Sequence, residues 1–245
     1  MVAPDPRALR RNPFPPSTRT TPAAPLDESR RILRWGLRSY GDEILLASSL
    51  GPQSLVILDL LHHDGLKVRT VMLDTGQLFE ETLRLKDRVE THFGISIESV
   101  RPDANRVQNE DPLALLWQGA PDQCCAMRKV EPLRQVLSGA RAWITGIRRD
   151  HSQTRSQART VEWDGKFGLV KVNPLISWTR DQVMTYLDQR GIPVNPLLHE
   201  GYPSIGCQPC TSKVSPERML LDERAGRWAS SGKTECGLHR SDRAM

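Results

Sequence analysis

Residues 43–74 read EILLASSLGPQSLVILDLLHHDGLKVRTVMLD, and the order of apolar and polar positions in this stretch decides the fold. Glu43–Ser49 is an apolar run of strand length that ends in two serines, with Gly51 just beyond. Gln53–His62 carries apolar residues over a helical length, and Lys67–Asp74 is a second short run rich in β-branched residues. Strand, helix and strand at these lengths predict a parallel pair joined by a crossover helix.

The alternation continues outward. Leu78–Phe93 predicts a longer helix with charged and apolar faces, and Ile95–Val100 a third strand. After an irregular segment, Arg128–Leu137 is helical and Ala142–Ile147 is a strand. Thr179 with Gln182 forms a capping box for a helix that ends at Gly191. Upstream, Asp27 or Ser29 caps a helix with an apolar stripe of Ile32, Leu33, Trp35 and Leu37, ended by Gly41. The expected fold is α/β, an open, mostly parallel sheet with helices on both faces. Residues 1–25 hold seven of the 18 prolines. The expected organisation is therefore a loosely attached arm at 1–26, one α/β domain at 27–229 and a mobile tail at 230–245.

Composition narrows the class. The chain has 245 residues, 38% hydrophobic and 26% charged, which suits a soluble globular protein. No apolar run reaches the roughly 18 residues that span a bilayer, and Met1–Pro25 lacks the apolar core of a signal peptide. A cytoplasmic location and no membrane partner are expected. The net charge of +5 favours an anionic partner, whether a nucleotide, a nucleic acid or an acidic protein face.

Five cysteines without a secretory signal point to metal binding or catalysis rather than disulfides. Four form two pairs, Cys124-Cys125 and Cys207-x-x-Cys210. The fifth, Cys236, stands alone on a polar tail between Lys233 and His239. Four thiolates suit zinc or an iron–sulfur cluster, although adjacent side chains such as Cys124 and Cys125 diverge unless the backbone bends. Two unrelated buried pairs would give the same spacing. Cys236 is a candidate nucleophile whose thiolate Lys233 and His239 would favour and Glu235 would oppose.

Other stretches offer anion or nucleotide contacts. Ser48-Ser49-Leu50-Gly51-Pro52 joins a strand to a helix and can present backbone N–H groups to an anion, although Pro52 removes one donor. A plain turn accounts for it equally well. Asp74-Thr75-Gly76 ends the next strand, where open α/β sheets bind ligands, but could instead cap a helix. Arg148, Arg149 and Arg155 follow one strand, and Arg224 and Arg227 precede the tail. Arginine forks suit phosphate and sulfate oxygens.

Taken together these motifs resemble the assimilatory sulfonucleotide reductases, in particular the iron–sulfur type that reduces adenosine 5′-phosphosulfate. The likeness runs from about Glu43 to His239. It rests on Ser48-Ser49-x-Gly51, Leu73-Asp74-Thr75-Gly76, Cys124-Cys125-x-x-Arg128-Lys129, Thr145-Gly146-x-Arg148-Arg149, Gly201–Cys210, Arg224-x-x-Arg227-Trp228 and Glu235-Cys236-Gly237-Leu238-His239. The resemblance implies a sheet of the adenine nucleotide alpha hydrolase type. It implies that Cys236 attacks the sulfur of the substrate, expels AMP and holds a thiosulfonate, from which thioredoxin or a similar dithiol protein releases sulfite. It also implies a [4Fe-4S] cluster on Cys124, Cys125, Cys207 and Cys210. Ser48, Ser49, Gly51, Leu73 and Thr75 would line the nucleotide pocket. Lys129, Arg148, Arg224, Arg227 and His239 would hold the phosphosulfate. No nucleic-acid partner is implied, and homo-oligomers are compatible with it. Both cysteine pairs are present, which in this family goes with the substrate lacking a 3′-phosphate. Three other readings start from the same residues: a reductase that accepts or prefers the 3′-phosphorylated substrate, a PP-loop ATPase of tRNA thiolation, and a zinc-stabilised nucleic-acid-binding protein. The ATPase should carry a Ser-Gly-Gly-x-Asp-Ser loop, which Ser48–Ser54 does not match, and the zinc protein leaves Cys236 unexplained.

Overall fold

The computed structural model describes residues 24–229, 233 and 235–239, without the side chains of Leu220 and Leu221. The arm expected at 1–26 falls mainly outside this range, as does most of the expected tail. Helix α1 (Pro25–Tyr40) starts at Pro25, with proline in the first turn and no side-chain cap. Asp27 therefore lies inside the first turn rather than capping it, and Ser29 is buried, its hydroxyl donating to Pro174 O at 2.7 Å. Gly41, at φ 54°, ends the helix as expected.

The predicted alternation follows as β1 (Ile44–Ser48), α2 (Pro52–His63), β2 (Arg69–Leu73), α3 (Glu80–Phe93) and β3 (Ile97–Val100). Short helices α4 (Ala104–Glu110), α5 (Leu116–Gly119) and α6 (Pro121–Cys125) lead through a π turn, Ala126–Val130, into α7 (Glu131–Leu137) and β4 (Ala142–Ile144). A hairpin absent from the sequence reading follows, β5 (Val161–Asp164) and β6 (Leu169–Val172), and then α8 (Arg180–Gln189) and α9 (Pro216–Leu221). The capping box of Thr179 and Gln182 is formed.

The sheet has the order β3-β2-β1-β4-β6-β5, parallel except for the edge strand β5. Alternation along the strands sorts two cores. Ile44, Leu46, Met72, Ala142, Ile144 and Val172 face the larger one, packed against α1, α2, α3 and α8. Leu45, Val71, Trp143 and Leu169 face a smaller one with Leu133 and Leu137 of α7, and Leu238 of the tail packs against it. Helix α2 is buried from Gln53 to Leu61, as a helix against a central strand must be. Successive connections run one way from β1 to β3 and the other way from β4, so the order reverses between β1 and β4. A crevice opens there at the carboxyl ends of the strands. No described helix is long and apolar enough to cross a membrane.

Candidate active site

One wall of the cavity at this reversal hangs from β1 and β2. Ser48, Ser49, Leu50 and Gly51 line it, as do Leu73 and Thr75. The Ser48 hydroxyl accepts the Leu50 N–H at 3.1 Å and Ser49 accepts that of Gly51 at 3.4 Å, so the serines brace the turn. Leu50 sits at φ 54°, a backbone region rare outside glycine and one that clusters at functional sites. Pro52 occupies the first helical position of α2, where a missing N–H costs least. Gly146, after β4, lets the chain pass α2 closely, since a Cβ there would lie 2.9 Å from Gln53 Cβ. Asp74 does not line the cavity. Its carboxylate accepts the Gly76 N–H at 3.1 Å and pairs with Arg101 at 2.8 Å, so it shapes the turn.

The four paired cysteines converge beneath this wall. Cys124 and Cys125 close α6, and the π turn that follows them at once winds more widely than the helix. Arg128, within the turn, pairs with buried Asp111 at 2.7 Å and donates to Thr75 O at 2.9 Å, locking the turn to the β2 loop. The Thr75 hydroxyl meets Cys207 Sγ at 3.3 Å. Burial, with Cys125, Cys207 and Cys210 nearby, pushes the Cys124 thiol up to about 12. Burial also raises Cys207, but Lys129, Thr75 and Arg227 outweigh it and hold the thiol below its usual range. Lys129 keeps its charge: burial disfavours it, and the sulfurs of Cys207, Cys236 and Cys125 more than compensate. This lysine thus stands between the paired cysteines and Cys236. Among the described residues no three Cys, His, Asp or Glu side chains form a group that could hold a metal ion.

The opposite wall is cationic. Arg155, Arg224 and Arg227 line it with His151, Glu223, Trp228 and His239. Arg227 lies 4.5 Å from the Trp228 ring centroid and across the backbone of Gly206, where any side chain would collide with its guanidinium. Burial, then the charges of Arg155 and Arg227, lower the Arg224 guanidinium to about 10, against the opposing pull of Glu235. Arg148 is fully buried and not among the lining residues, contrary to its expected place on the phosphosulfate. It pairs with Asp150 and Glu223 at 2.6 Å each, a post that orders the segment leading to Arg224. Arg149 is exposed and donates to Ala158 O.

Three residues of the described tail reach this cavity. Cys236 is half-buried and lines it, with Leu238 and His239. His239 stacks on Trp143 at 5.7 Å, and burial together with Lys171, Arg155 and Arg224 drives its imidazole well below its ordinary pKa. It is therefore neutral, not the cation expected beside Cys236. Lys233 is turned aside, donating to Pro121 O and Asp122. Glu235 is buried against Arg155 and Arg224. Sequence reasoning did not place His151, Glu223, Gln53 or Trp143 at the site. None carries a local signal, because each arrives through packing between distant segments.

The chain matches the family described as phosphoadenosine phosphosulfate reductase domain over residues 43–213. It is 44% identical to an adenosine 5′-phosphosulfate reductase of Staphylococcus haemolyticus, over 86% of this chain and 87% of that protein. It is 45% identical to a phosphoadenosine 5′-phosphosulfate reductase of Gloeobacter violaceus, over 85% and 87%. Among solved structures it resembles the phosphoadenylyl-sulfate reductase of Candida auris in a phosphate complex, with a TM-score of 0.67 and 27% identity over 76% of this chain and 90% of that one. An FMN adenylyltransferase of Candida glabrata, at 17% identity and TM-score 0.60 over 79% and 65%, shares the fold.

Proposed function

This chain belongs to the phosphoadenosine phosphosulfate reductase domain family, and from that premise we propose that it reduces adenosine 5′-phosphosulfate to sulfite and AMP with Cys236 as nucleophile, in sulfate assimilation. One observation carries the reading: Cys236, remote in sequence, lines the cavity at the β1–β4 reversal together with Lys129, Arg224 and Arg227.

In this mechanism the Cys236 thiolate attacks the sulfonate sulfur, an S–S bond forms and the S–O bond to phosphate breaks. AMP departs with the bonding pair, so no strong acid is needed. Lys129, Arg224 and Arg227 stabilise charge that accumulates on the sulfonate and phosphate oxygens. His239 Nδ1 and Trp228 Nε1 are buried without a hydrogen-bond partner among the described residues, as suits groups that a bound anion satisfies. A thiolate of a dithiol protein such as thioredoxin then attacks Cys236 Sγ and expels sulfite. Its second thiol resolves the mixed disulfide, so the protein dithiol supplies the two electrons. Ser48, Ser49, Gly51, Leu73 and Thr75 form the neutral wall on which the nucleoside rests.

The all-sulfur donor set suits a [4Fe-4S] cluster, which spreads its ligands more widely than one ion at about 2.3 Å. Cys124, Cys125, Cys207 and Cys210 would hold it, and once bound it would contribute an electrostatic field beside Lys129. The distinction between the two sulfonucleotides rests on those cysteines alone, since similar relatives carry both names.

The test is the intact mass of anaerobically purified, reduced protein after exposure to each sulfonucleotide without a reductant protein. A sulfonate adduct from adenosine 5′-phosphosulfate alone, absent in Cys236→Ser, is expected. Adducts from both would withdraw the specificity, and adducts from neither would overturn the mechanism.

A further inference from the structure

Glu235 adjoins the reacting cysteine, yet the chemistry above gives it no task. Its carboxylate is buried and accepts from Arg155 Nε at 2.9 Å, Arg155 Nη2 at 3.1 Å, Arg224 Nη2 at 3.2 Å and Thr154 Oγ1 at 3.3 Å. Burial pushes the carboxyl up, but Arg155 and Arg224 together outweigh it, so it stays charged. The remaining Arg155 nitrogen, Nη1, meets His151 Nδ1 at 2.9 Å. All three guanidinium nitrogens of Arg155 are thus engaged by the protein, although the residue lines the cavity. Arg155 belongs to a single turn, Gln153–Arg155, and the described tail residues 233 and 235–239 lie in no helix or strand. Among the described residues the tail's other anchors are Lys233 on Asp122 and Pro121 O, Leu238 against the small core, His239 stacked on Trp143, and Lys166 Nζ donating to Gly237 O at 2.6 Å; none of these is a two-pronged buried ion pair. A two-pronged buried ion pair one residue from Cys236 fixes the backbone that carries the thiol.

We propose that Glu235 is a positioning residue: gripped by Arg155 and Arg224, it clamps the tail so that Cys236 is seated in the nucleotide cavity, and Arg155 acts on the tail rather than on the substrate. The inference rests on Cys236 being the nucleophile. Because Arg224 also faces the cavity, closure of the tail and binding of the substrate anion share one guanidinium.

The clamp is tested on the full chain, purified anaerobically with its cluster, by two rates. The first is alkylation of Cys236 by iodoacetamide without nucleotide, followed by peptide mass. The second is single-turnover sulfonation at saturating adenosine 5′-phosphosulfate. Glu235→Gln should raise the alkylation rate about tenfold, which corresponds to about 1.4 kcal/mol of lost docking. It should slow sulfonation by about 10²-fold, the cost of a misplaced reacting atom, without weakening AMP binding. Glu235→Asp should recover part of both. Arg155→Lys keeps the charge but loses the fork and should match Glu235→Gln, and the double variant should be no worse than either single one. Unchanged alkylation in every variant, or a loss confined to weaker nucleotide binding, would overturn the clamp. If the wild type is sulfonated by neither nucleotide, the functional reading fails, while the alkylation series still decides the clamp.

Discussion

The wall formed by Ser48–Gly51, Leu73 and Thr75 is neutral and hangs directly from β1 and β2, whereas the wall facing it is charged and holds almost no regular structure. The first is positioned by the sheet: two parallel strands in register fix where their terminal loops lie. The second is positioned by ion pairs between segments far apart in sequence, Arg148 with Glu223 and Arg155 with Glu235. Rigid backbone is spent on shape, and paired charge on placing charge. A substitution on the neutral wall should therefore act locally, while one on the charged wall should spread.

The sharpest contrast comes from Lys129→Met, which keeps the stem and removes the charge between the paired cysteines and Cys236. It should lower kcat for sulfite release by about 10²- to 10³-fold, read in a steady-state assay with a dithiol reductant. An effect below tenfold would move the stabilising charge to Arg224 and Arg227. Ser48→Ala, on the other wall, removes the brace on the Leu50 N–H. It should cost about 1 kcal/mol in a denaturant titration and change KM more than kcat. A dominant loss of kcat would mean that the two walls are not separable.

The third test is a pH dependence. Burial, then neighbouring arginine charges, holds His151 well below its ordinary 6.5, and burial with Lys171 does the same for His239. Both are neutral in the folded chain but take up protons near pH 6.5 once unfolded. The unfolded state thus binds more protons below that pH, and stability falls on acidification by up to about 1.4 kcal/mol per pH unit for each group. Urea midpoints measured between about pH 7.5 and 5.5 should decline, and His151→Asn should halve the slope. An unchanged slope would place the proton uptake elsewhere on the charged wall.

The same contrast marks what could be read from the sequence. Strands β1 to β4 and helices α2, α3 and α7 follow from apolar runs and their lengths, whereas the short helices α4 to α6 fall in a stretch that reads as irregular; the loops after β1 and β2 follow from being strand ends. The paired cysteines and Cys236 are legible as spacing. The hairpin β5–β6 is not: within Val161–Val172 the apolar residues are interrupted by Glu162, Asp164, Lys166 and Lys171, because one strand is an edge and Lys171 is paired with Glu162 and Asp164. Nor could the roles of Arg148 and Arg155 be told apart, since one guanidinium is sealed behind the cavity and the other lines it. That choice is made by carboxylates about 75 and 80 residues away, and no local pattern records it.

The π turn at Ala126–Val130 sets a phase difference within what would otherwise be one helix. Cys124 and Cys125 lie on one side of it, and Leu133 and Leu137, which grip the sheet, on the other. The chain thus has two angular settings, one for the thiols and one for the packing face, joined by a stretch whose winding differs from both. Taking a single residue out of that stretch would turn one setting against the other by about 100°, whereas side chains in α7 can change without turning the thiols. Placement of the thiols and structural packing share one rod and are tuned separately.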